Sequence, residues 1–262
     1  AIEVDGAAYW MSENGFFRFT GKLESMQCLV EDYVYDDLNT TAQQLINCGL
    51  NNLFGEIYWF YPSNSSEVIN RMVSYNYLDS SPQRQIWVTS SLNRTTWSDS
   101  AVFGKPHGTQ YTAGNDVSFD VVGNTEGRTA YFEHETGTDQ VEAGSVSAIA
   151  ASVESGDYDI TVTKEGGATL QGDGEFLMKI RRFLPDFISQ TGNTQITLNL
   201  RDYPNSSQAS SPLGPFTISS STTKVDTRAR ARAVSLKIAN TGTAQDWKLG
   251  TFRLDIQPDG RR

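Results

Sequence analysis

The sequence predicts an all-β protein, built from propeller-like or stacked antiparallel sheets with few short helices. Short apolar and aromatic runs are bounded throughout the chain by Gly, Asn, Ser, Asp and Pro, a pattern typical of strands and turns. In several runs the faces separate at period two, as where Ile196, Leu198 and Leu200 alternate with polar residues. Helical periodicity is weak by comparison. These observations favour half-buried strands over helices.

The clearest local prediction is a β-hairpin near the N-terminus. The aromatic runs 8–11 and 16–19 flank Glu13, Asn14 and Gly15, and Asn-Gly is a preferred dipeptide at a tight hairpin turn. The same pattern predicts further strands at 55–61, 71–78, 85–90, 117–122, 129–134, 146–154, 157–162, 195–202, 216–220, 228–238 and 252–257.

Two segments are the best candidates for helices, 41–50 and 176–187, and Pro185 interrupts the second. Either segment is equally compatible with a strand. The polar, Ser-rich segments 205–215 and 219–223 are predicted to be surface loops. Aromatic groups recur in hairpin-like units spaced on the order of 45 residues, which is the spacing of propeller blades.

Length and composition give no internal domain boundary. At 262 residues with 38% hydrophobic and 20% charged residues, the chain is long enough and apolar enough to fold around a core. We therefore treat 1–262 as a single β-rich region. The chain opens at Ala1 in what reads as a strand and turn, so we expect it to be the C-terminal portion of a longer, β-propeller-based chain.

Charge and cysteine content exclude several classes of protein. The net charge of -10 repels nucleic acid at long range and disfavours a sequence-specific DNA or RNA binder. Cys28 and Cys48 are too few for a zinc centre or a disulfide scaffold, and we expect both to be reduced and buried. No stretch approaches the roughly 18 apolar residues that span a bilayer, so no membrane insertion is predicted.

His134 is the residue that most invites a metal or general-base interpretation, because Glu133, Glu135 and Asp139 lie nearby in the sequence. The zinc-protease motif needs a second His four residues later, where this chain has Thr138. Neighbours on a strand also point to opposite faces. A structural role for His134 is therefore favoured.

No other motif supports catalysis. The second histidine, His107, lies in a Pro-His-Gly turn, and neither a nucleophile elbow nor a phosphate-binding loop is present. We predict that the chain is not an enzyme and has no catalytic, cofactor-binding or metal site.

Two alternatives remain open at this point. A β-propeller glycoside hydrolase or sialidase-like enzyme would use paired carboxylates, for which Asp32, Asp36, Glu56 and Asp120 are candidates, and 94–99 resembles one sialidase turn repeat. A carbohydrate-binding adhesion module would instead expose a flat aromatic patch. The sequence gives neither the carboxyl separation nor the exposure that would decide.

The aromatic residues are candidates for packing between sheets or for an interface. Tyrosine and tryptophan rings also stack on sugars and bases. Packing is favoured, because the runs lack the interleaved Lys and Arg of a nucleic-acid groove. The residues concerned are Trp10, Tyr58, Trp59, Tyr61, Tyr75 and Tyr77.

A row of arginines is the candidate interface or phosphate-contacting site. Arg228, Arg230 and Arg232 alternate with small alanines on one predicted strand, and guanidinium groups match both phosphates and carboxylates. We expect the same face to continue through Val234, Leu236 and Ile238. With 31 acidic residues in each copy, salt bridges within or between subunits are favoured over DNA contacts.

Several segments taken in order resemble the tail-hub or nozzle proteins of short-tailed, podovirus-like bacteriophages, which stabilise packaged DNA. Together these segments span nearly the whole chain. They are 56–63, 73–77, 92–97, 131–137, 185–187, 228–232 and 247–262.

The resemblance implies a structural virion protein located in the phage tail and made in the cytoplasm of the bacterial host. Such a subunit is expected to form a homo-oligomeric, six-fold ring below the portal or adaptor, in contact with these and other tail proteins. It would retain packaged DNA and form part of the DNA ejection path as a non-specific conduit, without a cofactor. The acidic balance suits a conduit, since an anionic wall offers phosphates nothing to bind.

Overall fold

The computed structural model describes residues 1–81, 84–112, 128–142, 144–162, 168–170, 174–203 and 210–261. Contacts divide the chain into two compact units, Ala1–Thr136 and Gly137–Arg262, although no boundary was predicted between them. Both units consist almost entirely of antiparallel strands, so the predicted all-β class with few short helices is confirmed. No helix among the described residues is long and apolar enough to cross a membrane.

Unit 1 contains three antiparallel sheets, and in each one the strands that are neighbours in sequence pair with one another. The first comprises β1 (Ile2–Val4), β2 (Ala7–Ser12), β3 (Gly15–Phe19) and β4 (Leu23–Met26). The second comprises β5 (Asn47–Asn51), β6 (Glu56–Tyr61), β7 (Arg71–Ser81) and β8 (Arg84–Ser90). The third comprises β9 (Thr96–Ser98), β10 (His107–Thr112) and β11 (Arg128–Glu133). Helical segments are short: α1 (Glu31–Asp36), a 3-10 turn (Gln43–Leu45) and α2 (Ser100–Phe103).

The predicted N-terminal hairpin is present, with its turn one residue earlier than expected. Ser12 pairs with Gly15, so the two turn residues are Glu13 and Asn14. Gly15 is the first residue of β3 and has φ of 131°, a value that favours glycine.

Strand β6 lies in the middle sheet and is buried on both faces. Trp59 faces the first sheet, where the Phe16 ring lies 5.2 Å from it. Phe60 faces the opposite way and packs with Trp97 of the third sheet at 5.8 Å. The sheets of unit 1 are therefore stacked face to face around an aromatic core.

Gly49 in β5 permits the close approach of the third sheet. An ideal Cβ at this position would lie 2.8 Å from Trp97 Cβ and closer still to its ring carbons. The Trp97 indole also donates a hydrogen bond to Leu50 O at 2.8 Å. The indole is thus fixed directly over the backbone of β5.

Unit 2 is a β-sandwich with three additional hairpins. Its four-stranded sheet has the order β14 (Ser152–Glu154), β22 (Ala233–Ala239), β19 (Thr194–Arg201), β20 (Ser211–Ile218). Its three-stranded sheet has the order β21 (Val225–Ala231), β17 (Phe176–Leu184), β24 (Arg253–Arg261). The hairpins pair β12 (Asp139–Glu142) with β13 (Ser145–Ala148), β15 (Ile160–Val162) with β16 (Ala168–Leu170), and β18 (Phe187–Thr191) with β23 (Asp246–Leu249). Residues such as Phe183, Ile196 and Ile238 fill one core shared by the two sheets.

Neither of the two candidate segments forms an α-helix. Segment 41–50 contains the 3-10 turn and the start of β5, while 176–187 forms β17 and the first residue of β18. Helix α1 was not predicted, although Glu31 and Asp32 in its first turn suit a helix N-terminus. Helix α2 was also missed.

Other predicted boundaries differ in detail. Segments 146–154 and 228–238 each divide into two strands, and residues 211–215, expected to be loop, belong to β20. The loop at 219–223 is present, and the strand predicted at 117–122 lies outside the described residues.

The close packing at Gly49 yields a stability prediction. Gly49→Ala should destabilise the protein by about 1–3 kcal/mol, because the new methyl group overlaps the Trp97 side chain and forces it to move. Gly156→Ala is the matched control, since no atom lies within 4 Å of a Cβ built there. Urea denaturation of both variants checks this, and equal stability of the two would contradict the packing described.

Candidate functional site

The candidate site is the outer face of the three-stranded sheet of unit 2, here called the basic face. It comprises five cationic side chains on two adjacent strands, Lys179, Arg181 and Arg182 of β17 and Arg228 and Arg230 of β21.

The basic face exists because the alternate residues of these strands are buried. Met178 and Ile180 of β17 and Ala229 and Ala231 of β21 point into the sandwich core and are at most 1% exposed. Alternation therefore places the intervening cations outside. The small alanines let the backbone of β21 approach the opposite sheet closely.

A β-bulge concentrates the positive charge. Lys179 lies opposite Arg230, and the register shifts between Ile180 and Arg182, which pairs with Asp226. On the other edge of β17, Ile180 pairs with Ile256 and Arg182 with the adjacent Asp255 of β24, so Arg181 is an extra residue relative to β24 and is exposed. Like charges consequently lie beside one another on neighbouring strands.

Some cations of the basic face have acidic partners on the same sheet. Arg182 lies between Asp226 at 3.9 Å and Asp255 at 3.3 Å, and Arg230 pairs with Asp259. A hydrogen bond from Lys224 and the charge of Arg182 hold the pKa of Asp226 below its usual value. These pairs are solvent-exposed and contribute little to stability.

Three cations of the basic face have no such partner. Within the described part of the chain, Lys179, Arg181 and Arg228 make no ion pair. The face therefore has positive charge available for an external anionic group.

Arg232 does not belong to this face, contrary to the sequence prediction. Strand β21 ends at Ala231, and the chain bends at Arg232 to enter β22 in the other sheet. The Arg232 guanidinium donates to the carbonyl oxygens of Gly174 and Glu175 at 3.0 and 2.8 Å. The bend inverts the alternation, so the expected continuation of the arginine face is wrong. Val234, Leu236 and Ile238 are buried in the core instead.

The two units differ in charge balance. Residues 1–136 contain 17 acidic and 7 basic residues, whereas 137–262 contain 14 of each. The whole net charge of -10 thus resides in unit 1. The basic face belongs to the unit that is electrically neutral.

The aromatic residues singled out in the sequence lie in or beside the core of unit 1. Tyr58, Trp59, Tyr61 and Tyr75 are each at most 7% exposed. Half-buried Trp10 stacks on Phe17 at 5.8 Å. Half-buried Tyr77 donates a hydrogen bond to Asn52 Oδ1 at 3.1 Å. None of the six forms an exposed stacking surface.

Two of the exposed aromatic side chains contact His107, which was not anticipated. Phe103 and Tyr131 are 64% and 65% exposed and contact the His107 ring, Phe103 edge-on and Tyr131 stacked. The period-two pattern of 129–134 places Tyr131 on a face of β11, but the face that meets solvent is fixed by sheet packing.

His134 takes part in a polar cluster with Arg94. Arg94 Nε donates to His134 Nε2 at 2.9 Å, and Arg94 also bonds Gln110 and lies 4.1 Å from the centre of the Phe132 ring. Burial, followed by the charges of Arg94 and His107, lowers the pKa of His134 to about 4. His134 is therefore neutral and accepts a hydrogen bond at physiological pH.

The acidic neighbours of His134 in sequence have separate partners. Glu133 pairs with Lys105 at 3.3 Å. Glu135 has a left-handed φ of 58° and accepts from Asn51 Nδ2 at 3.1 Å, and burial raises its pKa. Asp139 accepts hydrogen bonds from the backbone N–H of Ala244 within unit 2.

The described residues contain no group of three or more His, Cys, Asp or Glu side chains arranged to hold a metal. Of the carboxylates considered for a glycosidase, Asp32 and Asp36 lie on α1, and Glu56 accepts from the Tyr58 hydroxyl at 2.7 Å. Asp120 lies outside the described residues. Cys28 and Cys48 are free thiols and half-buried, and burial raises the pKa of Cys28 to about 11.

Comparison with known proteins gives no assignment. No protein-family model matches the chain, and no curated protein matches it.

The His134 environment yields a prediction about pH. Because its folded pKa is depressed, neutral His134 contributes stability above pH 6.5 that is lost as pH falls towards about 4. His134→Gln keeps a neutral acceptor for Arg94 and cannot be protonated. The variant should therefore lose less stability than the unmodified chain between these pH values.

Thermal unfolding at several pH values between 4 and 7 measures the difference in stability between the two proteins. Because both contain the same carboxylates, the pH dependence of this difference reports on His134 alone. Parallel stability curves for the two proteins would show that His134 is not held neutral by its surroundings.

Proposed function

We propose that the chain is a structural protein of a bacteriophage tail, a hub or nozzle subunit that assembles into a ring below the portal or adaptor. Segments along nearly the whole chain resemble, in the same order, those of phage tail-hub proteins, and this resemblance supports the proposal. The observation that carries it is the basic face, a solvent-exposed sheet surface with uncompensated cations on a chain of net charge -10. The proposal assigns no catalysis to the chain.

The chemistry of the basic face favours an acidic protein surface as its partner over DNA. Asp226, Asp255 and Asp259 lie among the cations and would repel phosphates. A protein partner can place its own carboxylates opposite Lys179 and Arg228 and avoid these aspartates. Charge complementarity of this kind sets the orientation of an interface as well as its association rate.

A second copy of the chain supplies such a surface. Unit 1 has an excess of ten acidic residues over basic ones, while the basic face belongs to unit 2. Contact between two different surfaces of identical subunits is heterologous, and such contacts generate closed rings when the rotation closes. In this arrangement the cations are buried at subunit contacts, and the surface that lines the DNA path is largely anionic.

The ring proposal predicts the effect of reversing charge on the basic face. Arg228→Glu combined with Arg230→Glu should abolish ring formation, because carboxylates would then meet the acidic surface of the neighbour. Lys237→Glu combined with Lys248→Glu is the matched control, since both lysines are exposed on strands of unit 2 outside this face. Sedimentation velocity should show a closed assembly for the unmodified chain and the control, and single subunits for the arginine variant.

Circular dichroism confirms that each variant is folded, and raised salt should weaken the assembly of the unmodified chain. Two results would contradict the proposal: assembly of the arginine variant at full extent, or a monomeric unmodified chain that also fails to bind extracted tail components.

A further inference from the structure

A cleft of about 490 Å³ opens in unit 1 where the first two sheets face each other. That volume falls within the range of small-molecule sites. Its lining is mainly polar and aromatic. The residues that carry the argument are Tyr9, Arg18, Glu24, Tyr75, Tyr77 and Gln85.

One wall of the cleft is a row of three side chains across the first sheet. Tyr9 pairs with Arg18 in register, and Arg18 pairs with Glu24, so all three project from the same face. The Arg18 guanidinium donates to the Glu24 carboxylate, and their side chains remain 40% and 39% exposed. That hydrogen bond and the Arg18 charge lower the pKa of Glu24 and keep it ionised. This wall therefore presents fixed donors and acceptors side by side.

The other wall comes from the second sheet. The rings of Tyr9 and Tyr75 lie 6.2 Å apart and are both buried, at 7% exposed, so they form the floor of the cleft. Half-buried Tyr77, two residues further along β7, is the tyrosine ring that the cleft leaves accessible. Gln85 of β8 has a buried side-chain oxygen that has no hydrogen-bond partner among the described residues. The last side-chain torsion of glutamine is soft, so its amide can turn towards a donor in the cleft.

We propose that this cleft binds a short neutral saccharide. A sugar ring presents a C–H face that can pack against the half-buried Tyr77 ring and vicinal hydroxyls that bond to a carboxylate, a guanidinium and an amide. The Glu24 carboxylate would repel an anion, and the Arg18 guanidinium would repel a cation. A purely apolar ligand would displace water from this ion pair without replacing the hydrogen bonds that the water makes. This proposal rests on neither the basic face nor ring assembly.

Titration with named sugars tests the proposal on the full chain. The probes are glucose, galactose, N-acetylglucosamine and the disaccharides lactose, cellobiose and chitobiose. Binding is measured by ¹⁵N chemical-shift changes and by calorimetry. At least one saccharide should bind with saturation, and Glu24→Gln and Tyr77→Ala should each weaken that binding by about tenfold or more. Tyr131→Ala is the matched control, because Tyr131 is exposed outside the cleft. This variant should bind with unchanged affinity.

Thermal melting identifies any variant that fails to fold, and Glu24→Gln is the more conservative change if Tyr77→Ala unfolds. The proposal is overturned if no probe binds at millimolar concentration. It is also overturned if folded Glu24→Gln binds as well as the unmodified chain, or if Tyr131→Ala weakens binding as much as the cleft variants do.

Discussion

The structure of unit 1 depends on the burial of strand β6 on both faces. Its alternating residues must be covered on two sides, with Trp59 covered by the first sheet and Phe60 by the third. Burial of aromatic side chains is a major favourable contribution to folding, and such rings also prefer tilted contacts of the kind observed around Phe16. The stacking of three sheets follows from this requirement, and Gly49 is the position at which the packing leaves no room for a side chain.

In unit 2 the same demand for burial determines what the surface presents. Ala229 and Ala231 occupy the core side of β21, so Arg228 and Arg230 must face solvent. The bulge of β17 relative to β24 adds exposed Arg181 to these cations. The basic face is thus a direct product of core packing, and it provides the chain with a cationic surface although its net charge is -10. The proposed assembly uses this contrast between a neutral unit with one basic face and an acidic unit.

Strand content was predictable because turn residues and period-two patterns are local signals. Burial of β6 on both faces was not predictable, because the sequence 56–61 is equally compatible with a half-buried strand that has aromatic residues on its exposed face. The bend at Arg232 was not predicted either. The arginines before it and the apolar residues after it all occupy even positions, so the sequence reads as one uninterrupted strand. In the structure the chain passes from one sheet to the other at this point. The cleft proposed to bind a saccharide depends on pairings such as Arg18 with Glu24 and on the approach of Gln85 from another sheet. No sequence spacing reveals such an approach.

We propose that the basic face forms the contact between subunits of a tail ring. Cryo-electron microscopy of the assembled protein, with the chain fitted to the density, would locate that contact. We expect a closed ring in which Arg228 and Arg230 lie against carboxylates of the adjacent subunit. A ring in which these arginines instead line a continuous basic channel would contradict the proposal.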